Sequence, residues 1–400
     1  MAFSDSFSIV LSSRTPLFYI VDWLPPDFGA VGQYGQLFAR EMADEQSRKI
    51  YLIGLTNGPS RVEQEVFAGG GELEIRRISA VPYEKGRIVK RLFWTIRTNF
   101  QLIREVMRNP ASRGAEVLFT GAPPFMLFFA VPLKVFRKVR LIYRITDFYP
   151  EVVIAELGRP GIVLGILQSL TWFLRRQVDS FQVLGEDQRQ ILINGGIPAA
   201  RILIKRDRSP VLWTGKEKPL ASPPELIGHR ILLYSGNYGL AHEADTVVEG
   251  LIRHHRNDSG RFGFWLNASG QNADAVCRRL SVAQVPLARS KPVALDSLGA
   301  LLAAADVHLI TLRTQFSGIV LPSKIYACIE SRRPILFVGP ATSDVHLLCM
   351  RSEQLLYRRI EPGDSEGFAD ALEYFASQDT SPTGPLNATS DQGLAHSERM

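Results

Sequence analysis

Residues 315–334 read QFSGIVLPSKIYACIESRRP and lie between two apolar runs. The first run covers residues 305–312, and the second covers residues 335–338, directly after Pro334. Short apolar runs predict buried strands, whereas the segment between them predicts a loop followed by a short helix. The stretch is therefore predicted to form one βαβ unit whose first turn carries polar residues.

Ser323 and Lys324 are the candidate anion-binding residues of this turn. Ser323 is predicted to cap the helix, and the N–H groups at a helix N-terminus attract anions. Lys324 adds a positive charge at the same place, so the pair predicts a phosphate site. A short motif is weak evidence, and the alternative is that Ser323 only starts a helix while Lys324 is a solvated surface charge.

The composition is that of a folded chain of more than one domain. The chain has 400 residues, of which 46% are hydrophobic and 22% charged, and this excludes wholesale disorder. A net charge of +6 favours an anionic partner such as a nucleotide sugar or an acidic phospholipid. Nucleic acid is least favoured, because the basic residues are dispersed and no nucleic-acid-binding motif occurs. The three cysteines are far apart, which predicts a reduced, cytoplasmic chain without structural zinc.

The N-terminal segment has the order of elements that places a ligand at the edge of an α/β sheet. A strand is predicted over residues 17–21 and a helix over residues 33–42, with a Gly- and Pro-rich loop between them. Gly29 and Gly32 in this loop are candidates for close backbone approach to a sugar or a phosphate. Further strands are predicted at residues 49–54, 74–78 and 116–120 and from residue 140 onward, with a polar, Gly-rich connection over residues 62–72.

Residues 85–104 predict a basic amphipathic helix. Its apolar residues Leu92, Ile96, Phe100 and Ile103 recur at helical spacing, and the basic residues around them are Lys85, Arg87, Lys90, Arg91 and Arg97. Such a helix can lie on an anionic membrane. The alternative is a helix that docks on the sheet with a solvated basic face. Two other apolar runs, residues 123–135 and 162–174, are too short or too interrupted to span a membrane and are interpreted as buried or surface-lying helices.

Asp147 and Glu151 follow a predicted strand in the sequence DFYPE. They lie about one helical turn apart and are candidates for binding sugar hydroxyls. The alternative is that Asp147 caps a helix that begins at Tyr149 and Pro150. Both interpretations stay open.

The second half begins with RILLYSGNYGLAHE, residues 230–243. A strand that runs into the turn of Gly236, Asn237 and Gly239 and then into a helix is a plausible phosphate cradle, although the same spacing serves ordinary tight turns. Residues 206–225 are charged and rich in proline and serine, which indicates an interdomain linker.

These segments resemble retaining GT-B glycosyltransferases of family 4, especially the bacterial Pro-Ser-Lys branch that builds surface polysaccharides. The resemblance covers most of residues 17–376 and is strongest at residues 317–334, 234–242 and 144–151. It implies an α/β fold of two Rossmann-like doubly wound domains that face a cleft. The implied divisions are an acceptor-side domain at 1–205, a linker at 206–228, a nucleotide-sugar-binding domain at 229–377 and a disordered tail at 378–400.

The resemblance also implies a reaction and a set of site residues. The reaction is transfer of a sugar from a nucleoside-diphosphate sugar to an acceptor hydroxyl with retention, without cofactor or metal. Lys324 and Asp147 are the implied catalytic residues. The implied donor-binding residues are Gly236, Asn237, Gly239, Lys291, Ser317, Gly318, Pro322, Ser323, Lys324 and Glu330, and the acceptor-side residues are Gly29, Gly32, Asp147 and Glu151. The implied acceptor is a glycan or a polyprenol-linked saccharide, at the cytoplasmic face of the cell membrane.

The sequence departs from the family pattern at several of these positions. Asn237 stands where many relatives carry an arginine, and Ala327 stands where many carry a glutamate that binds the ribose. Glu330, one helical turn later, is the candidate substitute for that glutamate. Two alternatives follow. One is a GT-B nucleotide-sugar epimerase that uses Asp147, Glu151 or Glu330 as acid and base. The other is a non-catalytic protein that binds a nucleotide sugar or another transferase.

Overall fold

The computed structural model describes residues 15–27, 30–81, 88–215, 217–256, 260–270, 272–353 and 355–378. The chain divides into two compact units. The first unit comprises Met1–Arg206 together with the short segment Gly318–Leu321, and the second comprises Asp207–Ser317 and Pro322–Met400. Gly29, Lys85, Arg87 and almost all of the predicted tail lie outside the described residues.

The first unit is built on an eight-stranded sheet. Its strands are β1 (Leu17–Trp23), β2 (Lys49–Thr56), β3 (Arg61–Val66), β4 (Glu72–Ser79), β5 (Glu116–Thr120), β6 (Arg140–Ile145), β7 (Ser180–Val183) and β8 (Ile202–Ile204). Their order is β3-β4-β2-β1-β5-β6-β7-β8, and all neighbours are parallel except β3 and β4. The apolar runs of the sequence form the central strands, whose side chains are almost completely buried.

Strand β3 corrects the prediction of a polar connection over residues 62–72. It pairs antiparallel with β4 at the edge of the sheet, and its side chains are mostly polar and mostly exposed, including Val62 and Val66. Glu63 on β3 accepts a hydrogen bond from Arg77 on β4, with Nε and Oε1 2.8 Å apart. An edge strand needs little apolar surface, so its sequence lacks the pattern that predicts a buried strand.

Seven helices of the first unit lie in the described ranges. They are α1 (Ala30–Gln46), α2 (Ile88–Arg108), α3 (Met126–Ala130), α4 (Leu133–Arg137), α5 (Glu151–Leu157), α6 (Ile162–Arg176) and α7 (Glu186–Asn194). Two apolar clusters cover the sheet. One contains Leu17, Tyr19 and Met42, and the other contains Phe18, Phe119 and Phe181. Helices therefore pack on both faces of a mostly parallel sheet, which is the doubly wound arrangement.

The second unit is built on a six-stranded sheet in which every neighbouring pair is parallel. Its strands are β9 (Arg230–Asn237), β10 (Phe262–Ser269), β11 (Leu287–Ser290), β12 (Val307–Thr311), β13 (Ile335–Val338) and β14 (Tyr357–Ile360). The order β11-β10-β9-β12-β13-β14 corresponds to the 3-2-1-4-5-6 order of the Rossmann fold. The strand order reverses between β9 and β12, and ligands bind at the carboxyl ends of the strands at such a switch point.

Six helices of the second unit lie in the described ranges. They are α8 (Asp245–Arg256), α9 (Ala273–Val282), α10 (Leu295–Ala303), α11 (Lys324–Glu330), α12 (Asp344–Arg351) and α13 (Ser365–Ser377). Val211 and Leu226, from the segment predicted as a linker, are buried in an apolar cluster with Ile231 of β9. The segment thus contributes to the core of this unit.

The two sheets and their helices confirm the predicted α/β class with two Rossmann-like units. Each unit has its own buried apolar clusters. Within the described ranges, no helix is both long and apolar enough to cross a bilayer.

Candidate functional site

Lys324 is the first residue of α11 and lies at the switch point of the second sheet. Its Nζ lies 3.2 Å from the centroid of the Tyr234 ring on β9. The Nζ atom is buried and has no hydrogen-bond partner in the described part of the chain. A buried amine held only by an aromatic ring carries an unpaired charge, which makes Lys324 the centre of the candidate site.

Gly236 keeps the space beside this amine open. A Cβ at Gly236 would lie 3.7 Å from Nζ of Lys324, and the residue has a φ of +120°, which side chains rarely adopt. A side chain in place of Gly236 would therefore strain β9, and its Cβ would lie in van der Waals contact with the amine.

Burial lowers the pKa of Lys324 to about 7, because the charged amine loses its hydration. His242 lies close by, and burial together with the charge of Lys324 lowers its pKa to about 3. Its Nδ1 lies 2.9 Å from the carbonyl oxygen of Thr311 on β12. His242 is therefore neutral, and the positive charge of this cluster resides on Lys324. An anion that reached the amine would raise its pKa and stabilise its charged form.

The turn after β9 differs from the predicted phosphate cradle. Helix α8 begins at Asp245 rather than directly after Gly239, and the carboxylate of Glu243 accepts a hydrogen bond from the N–H of Thr246 in its first turn. Asn237 is exposed, and its carbonyl oxygen accepts a hydrogen bond from the Tyr234 hydroxyl. The start of α8 is thus occupied by a side chain of the protein itself.

Ser323 occupies the N-cap position of α11, but its side chain makes no capping hydrogen bond. The predicted cap is therefore not formed. Pro322 precedes it and is buried. The Ser317 hydroxyl lies 3.1 Å from the hydroxyl of Thr342.

Gly318 belongs to the first unit rather than to the surroundings of Lys324. It has a φ of +72°, and a Cβ there would lie 2.8 Å from the side chain of Ile191 on α7. Close packing in a left-handed conformation explains the glycine without a ligand.

Neither Ala327 nor Glu330 has the surroundings expected of a glutamate that binds the ribose, which the family resemblance places at position 327. Ala327 is only 4% exposed and packs in an apolar cluster with Trp265 and Leu301. Glu330 is exposed at the last residue of α11, about 9 Å along the helix axis from Lys324 at 1.5 Å per residue. Neither residue is placed beside the Lys324 amine.

Asn267 is a candidate that the sequence analysis missed. It lies near the carboxyl end of β10, where its Nδ2 donates to the carbonyl oxygen of Lys291 over 2.6 Å. Its Oδ1 is buried without a partner in the described structure. Lys291 itself is exposed directly after β11. The sequence feature that could have identified Asn267 is an amide side chain near the end of an apolar run.

In the first unit, Gly32 allows α1 to approach the end of β1. A Cβ at Gly32 would lie within 1.8 Å of the carbonyl oxygen of Trp23, so no other residue fits without movement of the backbone. Asp22, also at the end of β1, was missed by the sequence analysis. Burial raises the pKa of Asp22 to about 6, and one of its carboxylate oxygens is buried without a partner among the residues that the structure describes. The sequence feature that could have identified Asp22 is a carboxylate directly after the apolar run of β1.

Asp147 follows β6, and burial raises its pKa to about 6. Its backbone forms a bridge with Val320, and the next N–H, of Phe148, donates to Ile319 over 3.0 Å. Helix α5 begins at Glu151 with Pro150 at the N-cap and no side-chain cap. Asp147 therefore does not form the predicted cap, and its carboxylate is a candidate base.

Glu151 is held by a partner that the sequence analysis did not predict. Both of its carboxylate oxygens bind the Arg175 guanidinium, at 2.6 and 2.9 Å, and Arg175 also donates to the carbonyl oxygen of Tyr149. Arg175 is completely buried and lies against the rings of Phe148 and Trp172. The pair fixes α6 to the start of α5, which gives Glu151 a structural role.

The described ranges contain no group of three or more histidine, cysteine, aspartate or glutamate residues that could hold a metal ion. The arrangement therefore offers an isolated buried amine in the second unit and two carboxyl groups of raised pKa in the first.

Two Rossmann-like units with these strand orders define the GT-B fold. No family model matches the sequence. The chain is 24% identical over 391 residues to the probable glycosyltransferase WbjE of Pseudomonas aeruginosa, a match that covers 92% of this chain and 91% of that protein.

Solved structures of low sequence identity share the fold. A UDP-forming trehalose-phosphate synthase from Burkholderia vietnamiensis superimposes with a TM-score of 0.59 and 12% identity over 92% of each chain. A protein described as a putative UDP-N-acetylglucosamine 2-epimerase from Listeria monocytogenes superimposes with a TM-score of 0.54 and 11% identity over 97% of this chain and 98% of its own. The chain is thus similar in sequence to a glycosyltransferase and has the GT-B fold.

Proposed function

We propose that this protein is a glycosyltransferase that moves a sugar from a nucleoside-diphosphate sugar to an acceptor hydroxyl with retention of configuration. The observation that carries the proposal is the buried Lys324 amine at the switch point of the second sheet. The similarity to a probable glycosyltransferase over 92% of the chain supports the same class of reaction.

The chemistry requires positive charge where the leaving group forms. When the bond between the anomeric carbon and the diphosphate breaks, the electron pair and an additional negative charge go to the diphosphate. Lys324 neutralises this charge, and a cation in a buried site does so more strongly than a solvated one. The acceptor hydroxyl forms the new glycosidic bond and loses its proton. We assign acceptor binding to the first unit and propose Asp147 as the carboxylate that assists this proton transfer, since its raised pKa suits a base near neutral pH.

The proposed setting is the synthesis of a surface polysaccharide or a glycolipid, with a glycan or a polyprenol-linked saccharide as acceptor. A uridine nucleotide is the first donor to test, because both structural neighbours above are described as UDP-forming or UDP-sugar enzymes. We propose that the reaction needs no resident cofactor or metal.

Thermal stabilisation by ligands tests the donor site. Purified protein is heated with nucleoside diphosphates and nucleotide sugars, since a ligand that binds only the folded state raises the unfolding temperature. We expect one nucleotide to stabilise the wild type and to lose this effect in Lys324→Met. Lys218→Met is the matched control, because Lys218 is exposed in the same unit. Loss of stabilisation in both variants, or in neither, would contradict the assignment.

Product analysis tests the reaction itself. With the stabilising donor and a lipid-linked saccharide acceptor, we expect a new glycosidic bond whose anomeric configuration by NMR equals that of the donor. An inverted product would refute retention, and absence of transfer with a bound donor would favour the non-catalytic alternative.

An epimerase is the second candidate, because the Listeria monocytogenes protein described as a putative 2-epimerase shares the fold. An epimerase should convert the nucleotide sugar into its epimer when no acceptor is present. The carboxylates named for it are Asp147, Glu151 and Glu330, and of these Glu151 is engaged by Arg175. The ion pair with Arg175 thus removes one of the three carboxylates that an epimerase could use as acid or base.

A further inference from the structure

Helix α6 has an inverted distribution of polarity. Five apolar side chains on it are between 44% and 85% exposed, namely Ile162, Val163, Ile166, Leu170 and Phe173. At 100° per residue these positions fall within an arc of about 100°, so they form one face. The fully buried side chains of α6 are Thr171 and Arg175, and the partly buried Trp172 and Leu174 pack against the core. A helix that turns its apolar face outward from a folded unit indicates a partner that is not water.

Helix α2 repeats this arrangement. Leu92, Phe93, Ile96 and Phe100 are between 46% and 70% exposed and have the same relative spacing as the first four residues of the α6 face. The same helix buries Thr95, Thr98 and Asn99, and Asn99 donates to the carbonyl oxygen of Pro124 over 2.7 Å. Three of the four apolar residues named in the sequence analysis are therefore exposed, whereas the C-terminal half of α2 docks on the core of the unit through Leu102 and Val106.

The two faces belong to one region of the first unit. Helix α3 packs against both α2 and α6, and α4 follows it directly. Helix α4 adds Val135 and Phe136, which are 79% and 70% exposed. Eleven exposed apolar side chains therefore lie on neighbouring helices, which is far from the scattered single residues of an ordinary surface.

The segments that carry these side chains are strongly basic. Residues 121–146, which include α3 and α4, contain five lysines and arginines and no acidic residue; of the five, Arg144 is buried and Lys134 pairs with Asp179. Residues 158–178, which include α6, contain no acidic residue and two exposed arginines, Arg159 and Arg176, besides the buried Arg175. Residues 88–108 contain five basic residues and one acidic residue. The charge around the apolar faces is therefore complementary to an anionic surface.

We propose that the outward faces of α2, α4 and α6 dock on an anionic lipid bilayer and lie within its interface. Basic helices with aromatic and aliphatic faces bind in this way, with apolar side chains among the acyl chains and cations at the headgroups. At 15 residues, α6 is about 22 Å long, which is too short to cross the hydrocarbon core. A second copy of the chain is a poorer occupant, because pairing the same surface would bring two sets of positive charges together.

Vesicle flotation with the full chain tests the surface. The vesicles contain phosphatidylcholine with about 30 mol% phosphatidylglycerol, or phosphatidylcholine alone. We expect the wild type to float with the anionic vesicles, and Ile166→Glu with Phe173→Glu to lower the partition coefficient about tenfold or more. The matched control is Val282→Glu with Met350→Glu, which makes the same change at exposed apolar residues of the second unit and should bind like the wild type.

Charge variants provide a second test of vesicle binding that leaves every apolar side chain unchanged. Arg97→Gln and Arg159→Gln alter exposed residues, and each should lower binding to anionic vesicles about fivefold. Raised salt should weaken wild-type binding in the same direction. Absence of wild-type binding, or unchanged binding in both sets of variants, overturns the proposal. A dimer in sedimentation that the α6 variants dissociate, without vesicle binding, overturns it in favour of a second copy. These readings do not depend on nucleotide binding, so they stand apart from the test of the proposed function.

Discussion

In the second unit a lysine amine is buried beside a tyrosine ring, whereas in the first unit two helices expose their apolar faces. Each arrangement costs folding free energy, the first through lost hydration and the second through apolar surface left in water. The buried amine fits a small anion that can enter a confined space. The exposed faces fit a broad apolar surface. Two opposite departures from ordinary burial therefore indicate two different kinds of partner.

The helices of the second unit show that outward apolar faces are not general in this chain. Helix α13 buries Phe368, Leu372 and Phe375 against the core of its unit, and α8 buries Val247 and Leu251. The exposed faces of α2 and α6 are therefore a local property of the first unit.

The largest effect is expected from the pH dependence of the buried lysine. Its pKa is about 7 in the folded protein and 10.5 ordinarily, so between these values the unfolded chain binds more protons. Stability of the unliganded protein should therefore rise as pH increases from 7 to 10.5, by up to about 5 kcal/mol at 1.36 kcal/mol per unit. Lys324→Met should remove this rise and be the more stable protein at neutral pH.

Urea unfolding of the wild type and Lys324→Met across this pH range measures the effect, with Lys218→Met as the control for exposed lysines. If the unfolding free energy has the same pH dependence in the wild type and in Lys324→Met, the prediction is wrong, because the amine then keeps its hydration in the folded protein.

The second prediction concerns the ion pair that holds the inverted helix α6. Arg175→Met leaves the buried carboxylate of Glu151 without its partner and should lower the free energy of unfolding by about 4 kcal/mol. The neighbouring exposed residue provides the control, and Arg176→Met should change stability by no more than about 0.5 kcal/mol. Urea unfolding compares the two. Equal effects would show that α6 does not depend on its buried arginine.

The third prediction separates the family resemblance from the geometry at Ala327. Ala327→Glu places a carboxyl group in an apolar cluster and should lower the free energy of unfolding by about 3 kcal/mol. Ala294→Glu, at an exposed position of the same unit, should be nearly neutral. Thermal unfolding with and without the stabilising nucleotide measures both the change in stability and the change in nucleotide binding. Tighter nucleotide binding without loss of stability would instead support the ribose role.

Local patterns in the sequence predicted the fold and the position of Lys324. Apolar runs marked the central strands because buried parallel strands need continuous apolar sequence. The Pro-Ser-Lys turn follows one of these strands, so the lysine was placed at the carboxyl edge of the sheet. The resemblance to GT-B glycosyltransferases agrees with the fold and with the similarity to a probable glycosyltransferase, whereas retention and the individual site residues stay predictions.

The features that the sequence did not predict depend on contacts between distant residues. The pair of Glu151 and Arg175 joins positions 24 residues apart, and no local signal connects them. Helical periodicity showed that α2 has an apolar face, but it cannot show whether that face points toward the core or toward solvent. Likewise, the raised pKa of Asp22 depends on burial that only the folded unit creates.

The smallest effect is expected at Asp147, whose raised pKa is the counterpart in the first unit of the lowered pKa of Lys324. Burial raises the pKa of Asp147 from 3.8 to about 6, so between these values the folded protein binds more protons than the unfolded chain. Stability should therefore fall as pH rises through this range, by about 2 to 3 kcal/mol, and Asp147→Asn should flatten the curve. Asp370→Asn is the control, because Asp370 is exposed on α13.

If Asp147 also assists proton transfer, wild-type transfer should decline as pH falls through 6, and Asp147→Asn should be slow at every pH. A flattened stability curve with unchanged transfer would make the carboxyl group structural, and the buried lysine would then be the catalytic centre without a partner carboxylate.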